Sequence, residues 1–433
     1  MKKFLSATII AVSAAVLNSA VIDIVADKAD AYQVGETINF KVIGKEKNKK
    51  LMSDGKFKLY VCDSDKRNVM QIFDIDLAQG NPTYVSVKTT RPGFVWAVPE
   101  ANYVTADGKS IRWQESAAIT RLGGAAVEPE KIRVAGNMPE DFADFWQSHL
   151  KGFEKATVTV TAAKHIKRPN YNVFIIKVDY PDNSGSIDGF LSIPAAPGKY
   201  PIVAGVPGAG SGVVTPQGLL NGTKPTIEIM MNVHAYPTAE NAAEQKKRYD
   251  EFNKTCSSGA YYIENAWERD KYLYGKVWPA VSRAIDHATT LPEFDGKNIA
   301  AVGISQGGGT ALALAYLNKK VTCAVSAVPA LCDHNAWQSK RQPGWPQTHY
   351  VLKKRADNTM PYFDAVHFAS GIKVPTMVIV GFEDQVCSPT SVYAAYNNLA
   401  GAKEIVHMQF YGHRLSTAAI DKLKAFIDRE FAK

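Results

Sequence analysis

The sequence predicts an α/β protein in two parts, a mostly parallel sheet covered by helices on both faces and, ahead of it, a small all-β sandwich. Three observations carry that prediction. The chain has 433 residues, enough for two domains at about 150 residues each. Before Leu122 it alternates short β-like runs with turn residues and shows no convincing helix between them. Beyond Pro139, apolar β-rich runs alternate with segments of helical period, the pattern of parallel strands joined by crossover helices. A composition of 46% hydrophobic and 21% charged residues is that of an ordinary globular protein and excludes disordered, collagen-like and coiled-coil classes.

The N-terminus comes first. Lys2 and Lys3 precede an apolar run from Phe4 to Leu17, and small residues follow at Ser19 and Ala20. That order is the layout of a secretory signal peptide over residues 1–20, and the run is short of the roughly 18 apolar residues a membrane span needs. No later stretch reaches that length either, so the expectation is an exported protein, periplasmic or secreted, with no membrane span. The first cysteine is Cys62, which leaves no cysteine near the cleavage point for lipid attachment. The formal charge is +8, but no dense basic run with interleaved aromatics exists apart from the short Lys45 to Lys50 loop. Nucleic acid is therefore not an expected partner. Five cysteines, at positions 62, 256, 323, 332 and 387, are too few and too scattered for a disulfide framework, and none shows zinc-ligand spacing.

The sandwich is expected over residues 21–125, with an immunoglobulin-like character. Its strand candidates are Thr37 to Ile43, Phe57 to Cys62, Gln71 to Leu77, Thr83 to Thr89 and Gly93 to Val98. Ser53-Asp54-Gly55, Gln79-Gly80-Asn81 and Ala106-Asp107-Gly108 supply turns. The boundary falls in Leu122 to Glu130, where Gly123-Gly124 and Pro129 interrupt the pattern, so the second domain is expected over residues 130–433. The sandwich reads as a packing or spacer module, with carbohydrate binding as the alternative, because exposed aromatics cannot be told from core ones in the sequence.

The second domain opens with a helix over Asp141 to Phe153, where Phe142, Phe145, Trp146 and Leu150 recur at helical spacing. Strands follow at Tyr171 to Tyr180, Gly189 to Ile193, Ile202 to Val206, Asn298 to Ile304, Cys323 to Val328, Thr376 to Val380 and Lys403 to Phe410. Helix patterns occupy Tyr274 to Thr289, Gly308 to Leu317, Ser391 to Asn398 and Thr417 to Phe431. No internal repeat or low-complexity segment is visible.

One motif points to chemistry. Gly303-Ile304-Ser305-Gln306-Gly307 is a GxSxG, weak as a bare match but placed between an apolar strand and a helix that begins Gly308-Gly309. That strand, tight turn and helix setting projects a serine hydroxyl above the sheet edge. A serine needs an adjacent base to act as a nucleophile, and the expected order after it is an acid and then a histidine, each after a later strand. Thr376 to Val380 runs into Gly381-Phe382-Glu383-Asp384, which makes Asp384 the acid and Glu383 its competitor. Lys403 to Phe410 runs into Tyr411-Gly412-His413. His413 is the base, since His407, the other histidine after Asp384, sits inside the strand. The oxyanion hole is expected from the backbone N–H of Gln306 and of Ala209, in the loop Pro207-Gly208-Ala209-Gly210-Ser211-Gly212 that follows an earlier strand. That loop lacks the Lys-Ser/Thr ending of a phosphate-binding loop. The reading calls for no metal and no cofactor.

The segment from about Pro139 onward resembles the acetyl xylan esterase and cephalosporin-C deacetylase family, carbohydrate esterase family seven. The matching residues are Phe142-Ala143-Asp144-Phe145-Trp146, Tyr272-Leu273-Tyr274-Gly275, Gly303-Ile304-Ser305-Gln306-Gly307-Gly308-Gly309, Asp384-Gln385-Val386-Cys387-Ser388-Pro389 and Gly412-His413. The resemblance implies an α/β-hydrolase fold, removal of acetyl groups from O-acetylated sugars, and Ser305, Asp384 and His413 as nucleophile, acid and base. The family's usual assembly is a ring-shaped hexamer, but its core lacks a sandwich ahead of it, so for this chain the resemblance leaves a homo-oligomer open. Where the family's early loop has His-Gly-Tyr, this chain has Pro207-Gly208-Ala209. The backbone donor is kept and the aromatic wall is not.

Two other readings compete. A serine peptidase of the prolyl oligopeptidase kind also sets a β domain before an α/β-hydrolase, but its propeller needs far more than about 100 residues of blades. A non-catalytic glycan-binding protein on a hydrolase scaffold would not need all three triad residue types.

Overall fold

A computed structural model describes residues 21–46, 48–63, 68–100, 102–104, 110–112, 122–216 and 222–433. The signal-peptide layout of residues 1–20 and the Ala106-Asp107-Gly108 turn lie outside the described residues. In chain order the N-terminal strands are β1 (Val21–Ala26), β2 (Thr37–Lys45), β3 (Lys56–Asp63), β4 (Val69–Asp76), β5 (Thr83–Lys88), β6 (Gly93–Pro99), β7 (Asn102–Val104), β8 (Ser110–Arg112) and β9 (Gly123–Val127). They form a three-stranded sheet, β1-β2-β5, and a six-stranded one, β8-β7-β3-β6-β9 with β4 paired to β3. The inward residues of both, among them Ile22, Phe40, Val42, Leu59, Val61, Val95 and Ala97, share one apolar core. In β2 buried residues alternate strictly with less buried ones, the period-2 pattern of a strand with one face on a core.

β6 and β9 break that alternation. Phe94, Val95, Trp96 and Ala97 are all buried, as is every residue of β9, because the outer face of these strands packs on the rest of the chain. Val95 and Ala97 face the sandwich core, whereas Phe94 and Ala126 join the large core of the C-terminal region. The Gly123-Gly124 pair, expected as an interdomain break, thus lies inside a strand. A Cβ on Gly124 would stand 3.0 Å from the Phe382 carbonyl oxygen and one on Gly123 would stand 2.6 Å from Ile24 Cγ2. The glycines let β9 fit between two cores.

The C-terminal region is built from α1 (Phe142–Phe153), β10 (Val158–Ala162), β11 (Tyr171–Asp179), β12 (Ser186–Pro194), β13 (Tyr200–Gly205), β14 (Ile227–Met231), α2 (Ala242–Thr255), α3 (Tyr274–Ala288), β15 (Phe294–Ile304), α4 (Gln306–Leu317), β16 (Cys323–Ala327), α5 (Thr348–Leu352), α6 (Ala365–Ala369), β17 (Thr376–Gly381), α7 (Pro389–Asn398), β18 (Lys403–Met408) and α8 (Thr417–Phe431). Its nine-stranded sheet has the order β10-β11-β12-β14-β13-β15-β16-β17-β18. The pairings from β14 to β18 are parallel, and those from β10 to β14 through β12 are antiparallel. Strand residues alternate between two cores. Ile299 and Ala301 face α3 and α4, while Ala300 and Val302 face Leu423, Phe426 and Ile427 of α8. Covering both faces is why these strands read as continuous apolar runs.

Five elements of this region had no sequence signal, among them α5 and α6, each only five residues long. Of α2 only Gln245 is buried, and Tyr249 and Phe252 are half-buried against the core, so its apolar face is short. β10 is an edge strand with Thr159, Thr161 and Ala162 exposed, and the short β14, although fully buried, carries Glu228, whose carboxylate takes two 2.7 Å hydrogen bonds from Arg168. All five cysteines are buried.

Candidate active site

The carboxyl ends of β15, β17 and β18 lie together because these strands are parallel neighbours about β16, and each hands its chain to a loop at the same edge. Ser305 occupies the turn between β15 and α4, with φ +58° and ψ −119°, a conformation that costs a non-glycine residue about 1–3 kcal/mol and persists where surrounding structure fixes it. The fixing contacts are visible. The Ser305 N–H donates to the Ala327 carbonyl at 2.9 Å, and the Ser305 carbonyl accepts from Ala330 N at 2.9 Å and Gly309 N at 3.1 Å. A Cβ on Gly303 would stand 2.1 Å from Gly307, and one on Gly307 would stand 2.3 Å from the Val206 carbonyl oxygen. Only glycines close this turn.

His413, after β18, bridges the serine and the acid. Its Nε2 lies 2.9 Å from Ser305 Oγ and its Nδ1 lies 2.7 Å from Asp384 Oδ2. Asp384 is fully buried, and its other oxygen accepts the N–H groups of Val386 and Cys387 at 2.8 and 2.9 Å. A carboxylate held by two amides cannot swing away from the ring. With the proton on Nδ1, His413 presents a lone pair to the serine hydroxyl, so the arrangement can take that proton. The competitor Glu383 is also buried, and its N–H donates to the Tyr411 carbonyl at 3.1 Å. His407 lies within β18, with Nε2 2.5 Å from Tyr393 Oη, away from this cluster.

As the first residue of α4, Gln306 has no acceptor for its N–H within the helix. The loop carrying Ala209 runs beside the serine, for a Cβ on Gly208 would lie 3.9 Å from Ser305 Cβ. The Gln306 side chain holds that loop in place, a role the sequence did not show. Its Nε2 donates to the Pro207 carbonyl at 3.2 Å, and its Oε1 accepts the hydroxyls of Tyr261 at 2.8 Å and Tyr274 at 2.9 Å. Burial pushes both phenols well above their usual range, so they stay protonated as donors. Tyr261 Oη also accepts the Gly210 N–H at 3.4 Å. Behind it His234, stacked on Tyr236 with ring centroids 4.7 Å apart, is buried, which lowers its pKa to about 3 and keeps it neutral. The available signal was Tyr274 in the Tyr272-Leu273-Tyr274-Gly275 motif, whereas Tyr261 lies in a stretch without periodicity.

Among the described residues, the group with metal-ligand geometry is Asp384, Cys387 and His413, whose donor atoms lie within 4.8 Å of one another. Burial pushes the Cys387 thiol well above its ordinary value, so it holds its proton, and the other two are already bonded to each other.

A family model for acetyl xylan esterase (AXE1) matches residues 128–429. The chain belongs to the acetyl xylan esterase family. Acetyl esterase Axe7A of Xylanibacter ruminicola is 32% identical over 284 residues, which are 64% of this chain, and the chain spans 64% of that relative's length. Acetyl xylan esterase 1 from Thermoanaerobacterium sp. JW/SL YS485 aligns with a TM-score of 0.55 at 18% identity, over 70% of this chain and 98% of its own. The acetyl xylan esterase from Paenibacillus sp. R4 gives a TM-score of 0.54 at 21% identity with the same coverage. At these identities the two structures speak for the fold, an α/β-hydrolase. The family match begins at residue 128, so the β-sandwich of this acetyl xylan esterase family member lies outside it.

Proposed function

We propose that the protein is a secreted serine carbohydrate esterase that removes O-acetyl groups from xylan-type polysaccharides or oligosaccharides through an acetyl-serine intermediate. The supporting observation is the hydrogen-bonded chain Ser305–His413–Asp384, at 2.9 and 2.7 Å, in a member of the acetyl xylan esterase family. In this reading His413 Nε2 takes the Ser305 proton as Oγ attacks the acetyl carbonyl, and the N–H groups of Gln306 and Ala209 hold the oxyanion. The tetrahedral intermediate collapses, the C–O bond to the sugar breaks, and His413 gives its proton to the departing sugar oxygen. Water then attacks the acetyl-enzyme, loses a proton to His413, and the second collapse releases acetate and restores the serine hydroxyl. Asp384 holds the imidazole tautomer and stabilises the imidazolium. The family match also favours an ester over a peptide substrate, and the layout of residues 1–20 supports export.

Acetate release from acetylated xylo-oligosaccharides, compared with hydrolysis of longer acyl esters and of peptides, tests this. The expected outcome is acetate release without peptide cleavage. Peptide cleavage, or no turnover of any acetyl ester, would remove the proposal.

A further inference from the structure

A cavity of about 510 Å³ lies where the sandwich meets the C-terminal region, lined on one side by Asp63, Met70 and Arg91 and on the other by Lys131, Arg133, Lys340 and Arg341. Its size falls in the range of small-molecule sites, about 300–1,000 Å³. Three of the five cations are matched by carboxylates: Arg91 by Asp63, Lys131 by Glu128 at 2.8 Å, and Arg341 by Asp333 at 2.8 Å. Arg133 and Lys340 form no ion pair among the described residues; Arg133 spends one nitrogen, Nη1, on the carbonyls of Glu130 and Ile132. Both are exposed. Arg341 Nη2 donates to the Arg133 carbonyl at 2.6 Å, tying the two segments that carry the uncompensated charges. Half-buried Met70 and Val134 give the same cavity apolar surface.

We propose that this cleft is a saccharide-binding site, separate from Ser305, for a hexuronate unit of the polysaccharide. The proposal rests on the esterase reading for taking a polysaccharide as ligand. A pyranose ring bearing a carboxylate offers an apolar C–H face to Met70 and Val134 and a single negative charge to Arg133 and Lys340. A guanidinium binds a carboxylate through paired hydrogen bonds, which gives such a contact direction as well as charge. A neutral sugar would leave both cations unmatched, and a bare inorganic anion would leave most of the volume empty. Thr390, at the start of α7, lines the cleft, and Gln342, the residue after Arg341, donates from Nε2 to the Gln385 carbonyl at 3.4 Å.

Calorimetric titration of the full chain with a de-acetylated xylo-oligosaccharide carrying one glucuronate branch, and with an unbranched one of equal length, tests this. The acidic ligand is expected to bind at least about tenfold tighter, an electrostatic preference that shrinks as salt is raised. The Arg133→Gln, Lys340→Gln double variant, checked for folding by thermal unfolding, should bring the two ligands within about twofold of each other by removing that term. Lys340→Asn is the second variant, because Lys340 sits at φ +55°, where asparagine is well tolerated; it should remove part of the preference. Equal binding of the two oligosaccharides, an unchanged preference in the variants, or inorganic phosphate binding as tightly as the acidic ligand would overturn the proposal. Acetate release by the unmodified protein from a small acetyl ester reports on Ser305 separately, so failure of the esterase reading is distinguishable from failure of the cleft.

Discussion

The sandwich and the α/β region bury their strands in different ways, and β6, a sandwich strand that departs from the alternation, packs against the loop that carries Asp384. β2 alternates buried and less buried residues, as a sheet with one covered face must, while β14, β16 and β17 are buried throughout. β6 behaves like the second group although it belongs to the first sheet system. Its Trp96 Nε1 donates to the Phe382 carbonyl at 2.7 Å, and its Phe94 ring packs edge-on against the Phe382 ring at 5.1 Å. Phe382 precedes Glu383 and Asp384. A module that only spaced the enzyme from something else would have no reason to bury an aromatic strand against the loop that carries Asp384.

The largest expected effect asks whether the chemistry belongs to the α/β region alone. Ser305→Ala should lower acetate release by about 10⁴- to 10⁶-fold, since a triad acts as a unit, while circular dichroism and the unfolding midpoint show an intact fold. Unchanged release would move the nucleophile elsewhere. The next is about 10⁴-fold: Asp384→Asn should lose the correct histidine tautomer, whereas Glu383→Gln, one residue away in the same loop, should cost much less. The reverse ranking would contradict the 2.7 Å contact between Asp384 and His413 as the working one.

How much of this was legible follows from how each feature is encoded. The Ser305, Asp384 and His413 group could be read because Ser305 follows β15 at once while Asp384 and His413 come three and five residues after β17 and β18, in the chain order the motif calls for. The sandwich strands could be read from alternation and turn residues. Gly123-Gly124 interrupts the pattern in the sequence yet lies in β9, where the glycines answer a steric demand from Phe382 and Ile24, residues far away in sequence. Likewise the Gln306 clamp joins Pro207, Tyr261 and Tyr274, a convergence that no local spacing records.

A third comparison separates the regions by acid stability. All nine histidines lie at or beyond His149, so the sandwich contributes no histidine to acid sensitivity. In the α/β region burial lowers His234 and His334 to about 3 and His367 to about 4. A histidine near 6.5 when unfolded and near 3 when folded takes up its proton first in the unfolded chain. Its stabilising share is therefore whole above pH 6.5 and is lost as pH falls, at up to about 1.4 kcal/mol per pH unit. Asp364, pushed up to about 8 by burial and the neighbouring Asp333, acts in the opposite sense, losing its share as pH rises from about 4 to 8. To isolate one histidine, the unfolding free energy of His334→Gln should be compared with that of the unmodified protein between pH 6 and 4. Its slope against pH is expected to be smaller by about 1.4 kcal/mol per unit; equal slopes would mean that His334 does not stay neutral in the fold.

The smallest effect falls on the contact between the regions. Trp96→Phe keeps a ring on β6 and removes the donor to a buried carbonyl, which should cost about 1–3 kcal/mol of stability. The informative quantity is turnover. The Phe382 carbonyl lies two residues from Asp384, and the Phe382 N–H donates to the Met408 carbonyl at 3.1 Å, so the residue is held from the sandwich on one side and from β18, which leads to His413, on the other. Loosening the first hold should let the acid loop shift slightly and lower kcat on a small soluble acetyl ester several-fold, short of the roughly hundredfold that a 1 Å misplacement costs. KM for that ester should stay the same, because Trp96 reaches Phe382 and not the Ser305, Gln306 and Ala209 group that would meet the acetyl group. A variant that loses stability but keeps kcat would reduce the sandwich to a packing partner. A fall in kcat with KM unchanged would make Trp96 a positioning residue acting through Phe382 on Asp384, and the difference between the two regions would then be one of distance from the acetyl group rather than of participation.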